Sequence, residues 1–287
     1  MSLQPSRRST AEIITQMRPR GLFASIRMAL LQPILFFRTL SVPQPDSRQW
    51  LWMAIALLLV AGIVAIRQEE IRAGSGPTAP VDGGGDPTIP PPTGGEPASS
   101  TAADPARNLT TALIGGAGLV VGWLVVMVLL AVVSLARGLP PALGLNLQVA
   151  IWASTPFLLM GIGQLLWYGS GGSVGAAGIS GLLPDAIQGF DTWPPFARDF
   201  VYSLFSHLTI FWLWGLALLY VGARYALRGS RVTASFVVTI WFLLSILVPI
   251  ASGASRAPLP PLPKPISLPE IPETPPPDST AEATAAP

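Results

Sequence analysis

One histidine, no cysteine and few carboxylates limit the chemistry open to this chain. Of its 287 residues only 11% are charged, and His207 is the single imidazole. Zinc and di-metal sites need several histidine, cysteine or carboxylate ligands close together, so the sequence predicts no metal site. The remaining option is a hydroxyl–imidazole pair, for which Ser180 and His207 are the candidates.

Ser180 lies in a short motif that looks like the serine motif of rhomboid proteases. The motif is Gly178-Ile179-Ser180-Gly181, with His207 downstream. In those enzymes the serine begins a membrane helix, whereas here it follows a run of glycines. We therefore predict no catalytic residue and no cofactor, and we place an intramembrane serine hydrolase third among the functional hypotheses.

Five long apolar stretches with almost no charge dominate the chain. A bilayer core about 30 Å thick is crossed by about 20 apolar helical residues, and its backbone must be hydrogen-bonded internally. The sequence predicts an all-α membrane protein, a five-transmembrane-helix bundle with an N-terminal interfacial amphipathic helix. The predicted spans are residues 50–66, 111–136, 147–168, 205–227 and 232–252.

The segment 20–40, ahead of the first span, has an amphipathic helical pattern. Arg20, Arg27 and Arg38 fall within about 20° of each other at 100° per residue, opposite an apolar face. Such a helix lies in the membrane interface and attracts anionic lipid. Packing on the cytoplasmic ends of the spans is an equally good interpretation, and Pro33 is expected to kink the helix.

Positive charge is distributed unevenly around the spans. Three segments are basic: the head, the connection at Arg137 and the connection from Arg224 to Arg231. The other loops and the tail hold most of the acidic residues. The positive-inside rule then places the N-terminus in the cytoplasm and the C-terminus outside, with the plasma (inner) membrane as the location. These arginines border the bilayer, so we expect no nucleic-acid partner. Interfacial anchors are predicted at Trp50, Trp52 and Trp193.

Several residues in the spans point to helix packing. Gly115, Gly118 and Gly122 give close-approach spacing, so Gly118→Leu is expected to impair the protein; dimerisation is the alternative use of this face. Pro156 interrupts the third span, where the neighbouring hydroxyls of Ser154 and Thr155 can donate hydrogen bonds to the freed carbonyls. Gln164 is predicted to hydrogen-bond a neighbouring helix.

Three segments have compositions typical of disorder. They are the head 1–19, the Pro/Gly linker 71–108 and the Pro-rich tail 253–287. The abundance of Arg, Ala, Gly and Pro suggests a GC-rich bacterial source.

The order of features resembles the Ypt-interacting protein (YIP) family and its bacterial relatives. Leu31–Arg38 looks like the Pro-plus-aromatic segment ahead of their first span, Val149–Pro156 like their third-span entry, and Asp199–Gly222 like their fourth span. The resemblance implies a five-helix bundle that is not an enzyme. The Asp-Leu and Gly-Tyr motifs of the eukaryotic members are absent from the sequence, so their Rab binding is not carried over.

The leading hypothesis is therefore a YIP-like polytopic scaffold, assembly factor or membrane organiser. Its expected partners are the lipid bilayer, anionic lipid at the cytoplasmic face, and a membrane protein or a second copy. The alternative is a membrane subunit of a transporter with a separately encoded ATPase, which would contact 137–144 or 224–231. The sequence identifies neither a partner nor a substrate.

Single cysteines test the predicted topology in this cysteine-free chain. An impermeant maleimide applied to intact cells is expected to label the Ser99→Cys and Thr280→Cys variants and to leave Ser9→Cys unlabelled, because the charge bias places only the first two outside. Labelling of Ser9→Cys would reverse the assignment.

Overall fold

The computed structural model describes residues 21–41, 48–74, 105–175, 178–187 and 189–253, and within these ranges all regular structure is helical. Arg20, the head 1–19, residues 75–104 of the linker and residues 254–287 of the tail lie outside the described residues. The described α-helices are α1 Leu22–Leu31, α2 Pro33–Leu40, α3 Gln49–Gly74, α4 Pro105–Ala136, α5 Leu143–Ala153, α6 Thr155–Gly169, α7 Leu183–Ala186, α8 Pro195–His207, α9 Ile210–Val221 and α10 Arg231–Ala251. A π-helical turn, Gly222–Ala226, extends α9.

Four segments are long and apolar enough to cross a membrane, and α8 with α9 makes a fifth if the pair counts as one bent span. The four are Gln49–Ala73, Ala106–Ala136, Leu143–Gly169 and Arg231–Ala251. The chain is thus an all-helical protein with four to five potential membrane spans.

The predicted fourth span, 205–227, differs from the structure at its start. The chain turns by 82° between α8 and α9. Thr209 is extended and its hydroxyl accepts from the Trp212 backbone N–H at 3.1 Å, so it caps a new helix. Apolar composition continues through this bend, which is why hydropathy alone missed it.

The helices α3 and α4 run beyond the predicted spans and into the ends of the predicted linker. The 26 residues of α3 extend about 39 Å at 1.5 Å per residue, more than a hydrocarbon core of about 30 Å. At the far ends Arg107 of α4 forms an ion pair with Glu69 of α3. Hydropathy therefore marked only the apolar part of two longer helices.

One end of the bundle collects arginine side chains. The Arg137 guanidinium donates to the backbone carbonyls of Leu227 at 3.5 Å and Arg228 at 3.0 Å, so two interhelical connections meet there. We call this the arginine-rich end; its arginines are Arg27, Arg38, Arg48, Arg137, Arg224, Arg228 and Arg231.

At that end α1 and α2 pack against the bundle as a helical hairpin. The Ser25 hydroxyl donates to the side-chain oxygen of Gln49 at 2.6 Å. Phe36 and Phe37 are 2% and 0% exposed, and the Phe36 ring meets Trp152 edge to face at 4.8 Å between centroids. The predicted interfacial helix is divided in two, and much of its apolar face contacts protein.

The turn between α1 and α2 lies along the side of α9. Pro33, which lacks a backbone N–H, begins α2. It lines an apolar groove with Leu31 and with Leu213 of α9, whereas Arg38 lies over Tyr225. Leu213 and Tyr225 are about 18 Å apart along a helix axis at 1.5 Å per residue. The hairpin therefore extends from the arginine-rich end into the apolar flank of the bundle, rather than along its end.

A smaller apolar cluster covers α8. Leu183 and Phe190 are buried there against Val201 and Phe205. Gly178 has a φ of 57°, and a Cβ at this position would come within 2.5 Å of the Phe205 carbonyl oxygen, so only glycine fits. This contact fixes the connection to the end of α8.

Close approach between spans depends on glycines. A Cβ at Gly115 of α4 would lie 2.8 Å from the Ala65 Cβ of α3. At Gly118 a Cβ would meet no atom within 4 Å, and at Gly122 it would lie 3.5 Å from the Trp241 ring. The expected close approach is present at Gly115, but Gly118 has open space beside it, which removes the physical reason for the expected effect of Gly118→Leu.

Leucine substitutions test this difference. We expect Gly115→Leu to lower the free energy of unfolding by about 1–3 kcal/mol, because overpacking forces α3 and α4 apart. Gly163→Leu is the matched control, since a Cβ there meets nothing within 4 Å. Reversible unfolding in mixed detergent micelles measures both, and equal stability of the two variants would contradict the packing assignment.

Candidate functional site

The third span, formed by α5 and α6, is interrupted at Ser154. Pro156 lies in the first turn of α6 and has no N–H to donate to the Trp152 carbonyl. The Thr155 hydroxyl donates to that carbonyl instead, at 2.6 Å, and the Ser154 hydroxyl donates to the Ala150 carbonyl at 3.0 Å. The freed backbone groups are thus satisfied within the apolar bundle, as the sequence predicted for Pro156.

Ser154 also joins this interruption to α4. Its oxygen accepts from the Trp123 indole N–H at 3.0 Å, and both residues are buried. An indole N–H buried in an apolar setting needs such a partner. The hydrogen bond therefore sets the position of α4 relative to the break in the third span.

A cavity of about 250 Å³ lies beside this hydrogen bond, between α4, the third span, α8, α9 and α10. We call it the central cavity. Small and aromatic side chains dominate its lining, and few polar groups reach it. Its walls are Gly118, Leu119, Gly122, Trp123, Val126, Ala150, Ala153, Ser154, Phe157, His207, Trp212, Gly215, Leu216, Leu219, Trp241 and Ser245.

His207 lies at the end of α8, where the chain bends into α9. Its Nδ1 is 2.8 Å from the Ser203 carbonyl oxygen, and its ring centroid is 5.9 Å from that of Trp212. Ser203 in turn donates its hydroxyl to the Ile246 carbonyl at 3.1 Å, which holds α8 on α10. The bend thus positions the one imidazole of the chain in the cavity wall.

The residues of the hydrolase hypothesis are on adjacent segments. The Ile179 N–H donates to the Phe205 carbonyl at 3.1 Å, so the turn that carries Ser180 packs on the end of α8. Ser180 is only 1% exposed and is not among the residues of the central cavity, whereas His207 is. A substrate in the cavity would therefore meet His207 but not Ser180. Within the described residues no three His, Cys, Asp or Glu side chains are grouped as metal ligands.

Gln164 lines a second cavity, between α3, α4 and α6. Among the described residues no hydrogen bond from its side chain to another helix is found. The neighbouring Gln68 of α3 instead donates to the Tyr168 hydroxyl at 3.1 Å. The hydrogen bond between α6 and α3 that was expected for Gln164 is therefore made by Tyr168 instead. Tyr168 lies one turn further along α6, and its side chain faces α3.

At the arginine-rich end, two guanidinium groups lie over the Tyr225 ring. Arg38 of α2 is 5.0 Å and Arg224 is 5.3 Å from the centre of its ring, and Arg224 also donates to the Tyr220 hydroxyl at 3.2 Å. The negative face of an aromatic ring attracts such cations. Tyr225 therefore links the N-terminal hairpin to the π-helical turn after α9.

The described carboxylates belong to other segments. Both ion pairs found among the described residues, Arg67–Glu70 and Arg107–Glu69, are at the junction of α3 and α4. Most side chains at the arginine-rich end are exposed, with Arg224 partly buried. That end is consequently a surface of positive charge, and the carboxylates of the two ion pairs, Glu69 and Glu70, lie away from it.

The predicted interfacial residues have different surroundings. Arg27 is exposed, Trp50 packs on the core and Trp52 is 59% exposed. Trp193 is 36% exposed and its ring lies 5.6 Å from that of Phe190. The surroundings of Trp52 suit a lipid-facing side chain, whereas Trp50 contributes to packing.

Sequence reasoning did not single out three tryptophans of the central cavity: Trp123, Trp212 and Trp241. Tryptophans in spans are expected near the interfaces. A tryptophan in the interior of a span indicates a nearby polar group, because its N–H requires a hydrogen-bond partner. Trp123 and Trp241 fit that description.

Comparison with protein-family models, with curated proteins and with solved structures finds no match to this chain. The resemblance to the YIP family therefore stays a prediction.

A double-mutant cycle tests the hydrogen bond between Trp123 and Ser154. Trp123→Phe and Ser154→Ala each remove one partner, and we expect a coupling free energy of about 0.6 kcal/mol and at most about 1.7 kcal/mol, as for other hydrogen bonds between membrane helices. Unfolding of the two single variants and the double variant in detergent gives this value. Strictly additive effects would show that the contact contributes no coupling.

Proposed function

We propose that this protein is a non-enzymatic membrane organiser that gathers anionic lipid headgroups at its arginine-rich end. The observation that carries the proposal is the arrangement around Tyr225, where the guanidinium groups of Arg38, from the hairpin, and Arg224, from the bundle, both lie over one aromatic ring. A YIP-like scaffold of this kind works through lipid and protein partners rather than through chemistry. The positive-inside rule predicts that this end faces the cytoplasm.

The electrostatics favour lipid headgroups as the partner. Each arginine near an anionic membrane surface contributes about 1 kcal/mol, and arginine binds phosphate oxygens in a planar, two-pronged geometry. The carboxylates of the two ion pairs, Glu69 and Glu70, pair with arginines outside this end and so do not compete for these guanidinium groups. The exposed side chains Arg27, Arg48, Arg228 and Arg231 add to the same field.

The hairpin gives this surface a fixed shape. Because Phe36 and Phe37 are buried, α2 cannot swing away without exposing two aromatic rings. Arg38 follows directly and is held over Tyr225. A preorganised pair of cations loses less conformational entropy on binding than two free side chains.

Lipid enrichment in mixed bilayers tests the proposal. Full-length protein in nanodiscs containing equal amounts of phosphatidylglycerol and phosphatidylcholine is partly delipidated, and the retained lipids are quantified by mass spectrometry. We expect phosphatidylglycerol to be enriched, and the Arg38→Gln/Arg224→Gln double variant to lower the enrichment about three- to tenfold, with a similar loss at high salt.

Arg67→Gln/Arg107→Gln is the matched control, since these arginines lie at the junction of α3 and α4 and pair with carboxylates. We expect it to leave the enrichment unchanged. Absence of enrichment in the unmodified protein, or an equal loss in the control, would overturn the proposal.

The second candidate, a transporter subunit, has one observation in its favour. Arg137 joins the connections that precede α5 and α10 into one surface, and a cytoplasmic ATPase would dock on such a surface. ATP hydrolysis by a purified complex, together with cross-links from the ATPase to 137–144 or 224–231, would replace the organiser by this alternative.

A further inference from the structure

We propose that the central cavity binds a single-chain amphiphile with a carboxylic acid head, such as a long-chain fatty acid. In this arrangement the head contacts His207 and Trp212, and the chain lies along the glycines of α4. This site is separate from the arginine-rich end and does not depend on the proposed function.

The first argument is the unused hydrogen-bonding capacity of His207. A carbonyl oxygen only accepts, so the Nδ1 that faces the Ser203 carbonyl carries the proton. In the neutral ring the lone pair is then on Nε2, for which no partner is found among the described residues. His207 therefore presents one acceptor.

Trp212, whose ring is next to that of His207, supplies a donor. The residue is only 6% exposed, and its indole N–H has no hydrogen-bond partner within the described part of the chain. The His207 and Trp212 rings are 5.9 Å apart between centroids. A carboxyl group matches this pair, because its O–H donates to Nε2 while its carbonyl oxygen accepts from the indole; a proton shifted onto Nε2 leaves the same two hydrogen bonds.

The two serine hydroxyls that line the cavity are already satisfied. Ser154 donates to the Ala150 carbonyl and accepts from Trp123, and the Ser245 hydroxyl donates to the Phe242 carbonyl at 2.8 Å. Most of the remaining wall is apolar. Besides His207 and Trp212, only the indole N–H of Trp241 among the described lining side chains has no hydrogen-bond partner. A wall with one acceptor and so few donors favours a ligand with one polar head and a hydrocarbon chain.

The size and opening of the cavity favour one chain that enters from the membrane. A volume of about 250 Å³ is below the range of about 300–1,000 Å³ typical of drug-sized ligand pockets, and is too small for a two-chain phospholipid. Gly118 lines the cavity and is exposed, and the apolar side chains of Val121 and Leu124 on the same helix are exposed as well. A hydrocarbon chain can therefore pass from the bilayer past Gly118 without crossing a polar barrier.

Photolabelling with a diazirine derivative of palmitic acid tests the assignment. Full-length protein in phosphatidylcholine nanodiscs is irradiated with the probe, and the labelled peptides are quantified by mass spectrometry. We expect saturable labelling of residues 118–126 and 241–245. An excess of palmitic acid should remove it, whereas palmitic acid methyl ester and dipalmitoyl phosphatidylcholine should compete poorly, since neither has a free carboxyl group.

Two variants separate the chain from the head. Gly118→Leu places a side chain in the open space beside α4 and is expected to abolish the saturable labelling, whereas Gly163→Leu, equally unobstructed but outside the cavity, should preserve it. His207→Phe keeps an aromatic ring beside Trp212 and removes the acceptor. It should weaken the probe's apparent affinity about three- to tenfold, the usual effect of losing one hydrogen bond.

Labelling spread evenly over the exposed faces of the spans, without saturation, would overturn the proposal. Equal competition by the methyl ester would overturn the assignment of a carboxylic acid head, and equal competition by the phospholipid would assign the cavity to a phospholipid chain instead. The competition arms use the unmodified protein, so they decide the matter even if Gly118→Leu does not fold.

Discussion

The structure depends on the satisfaction of backbone hydrogen bonds at the interruption of the third span. In hydrocarbon an unpaired carbonyl costs several kcal/mol, and Pro156 leaves one at Trp152. Thr155 and Ser154 supply the missing donors from the same segment. Ser154 also accepts from Trp123. The residue that satisfies the backbone of the third span therefore also fixes the position of α4.

The hairpin and the central cavity both contact this segment of the third span. The Phe36 ring of the N-terminal hairpin packs edge to face with Trp152. Phe36 precedes Phe37 and Arg38, which contact the π-helical turn. Ser154, two residues after Trp152, borders the central cavity. The arginine-rich surface and the cavity therefore share one structural support, although they are different in chemistry and in location.

Glycines have two distinct uses in α4. Gly115 allows α3 to approach until a Cβ would be 2.8 Å from Ala65, and dispersion between closely packed helices is a main source of stability in lipid. One turn further along, Gly118 leaves space that no neighbouring helix fills. Gly115 thus allows a close contact between two helices, whereas Gly118 leaves room for a cavity. The difference comes from the distance to the facing helix.

The sequence alone determined the helical class, the approximate extent of most spans, the uneven positive charge and the interruption at Pro156, because these follow from local composition and covalent geometry. It did not separate Gly115 from Gly118, find the bend at Thr209, or show that Phe36 and Phe37 are buried. A span that is apolar on every side carries no amphipathic signal to distinguish lipid from a neighbouring helix. Only the tertiary structure decided which faces meet, and so where the cavity lies and which arginines surround Tyr225.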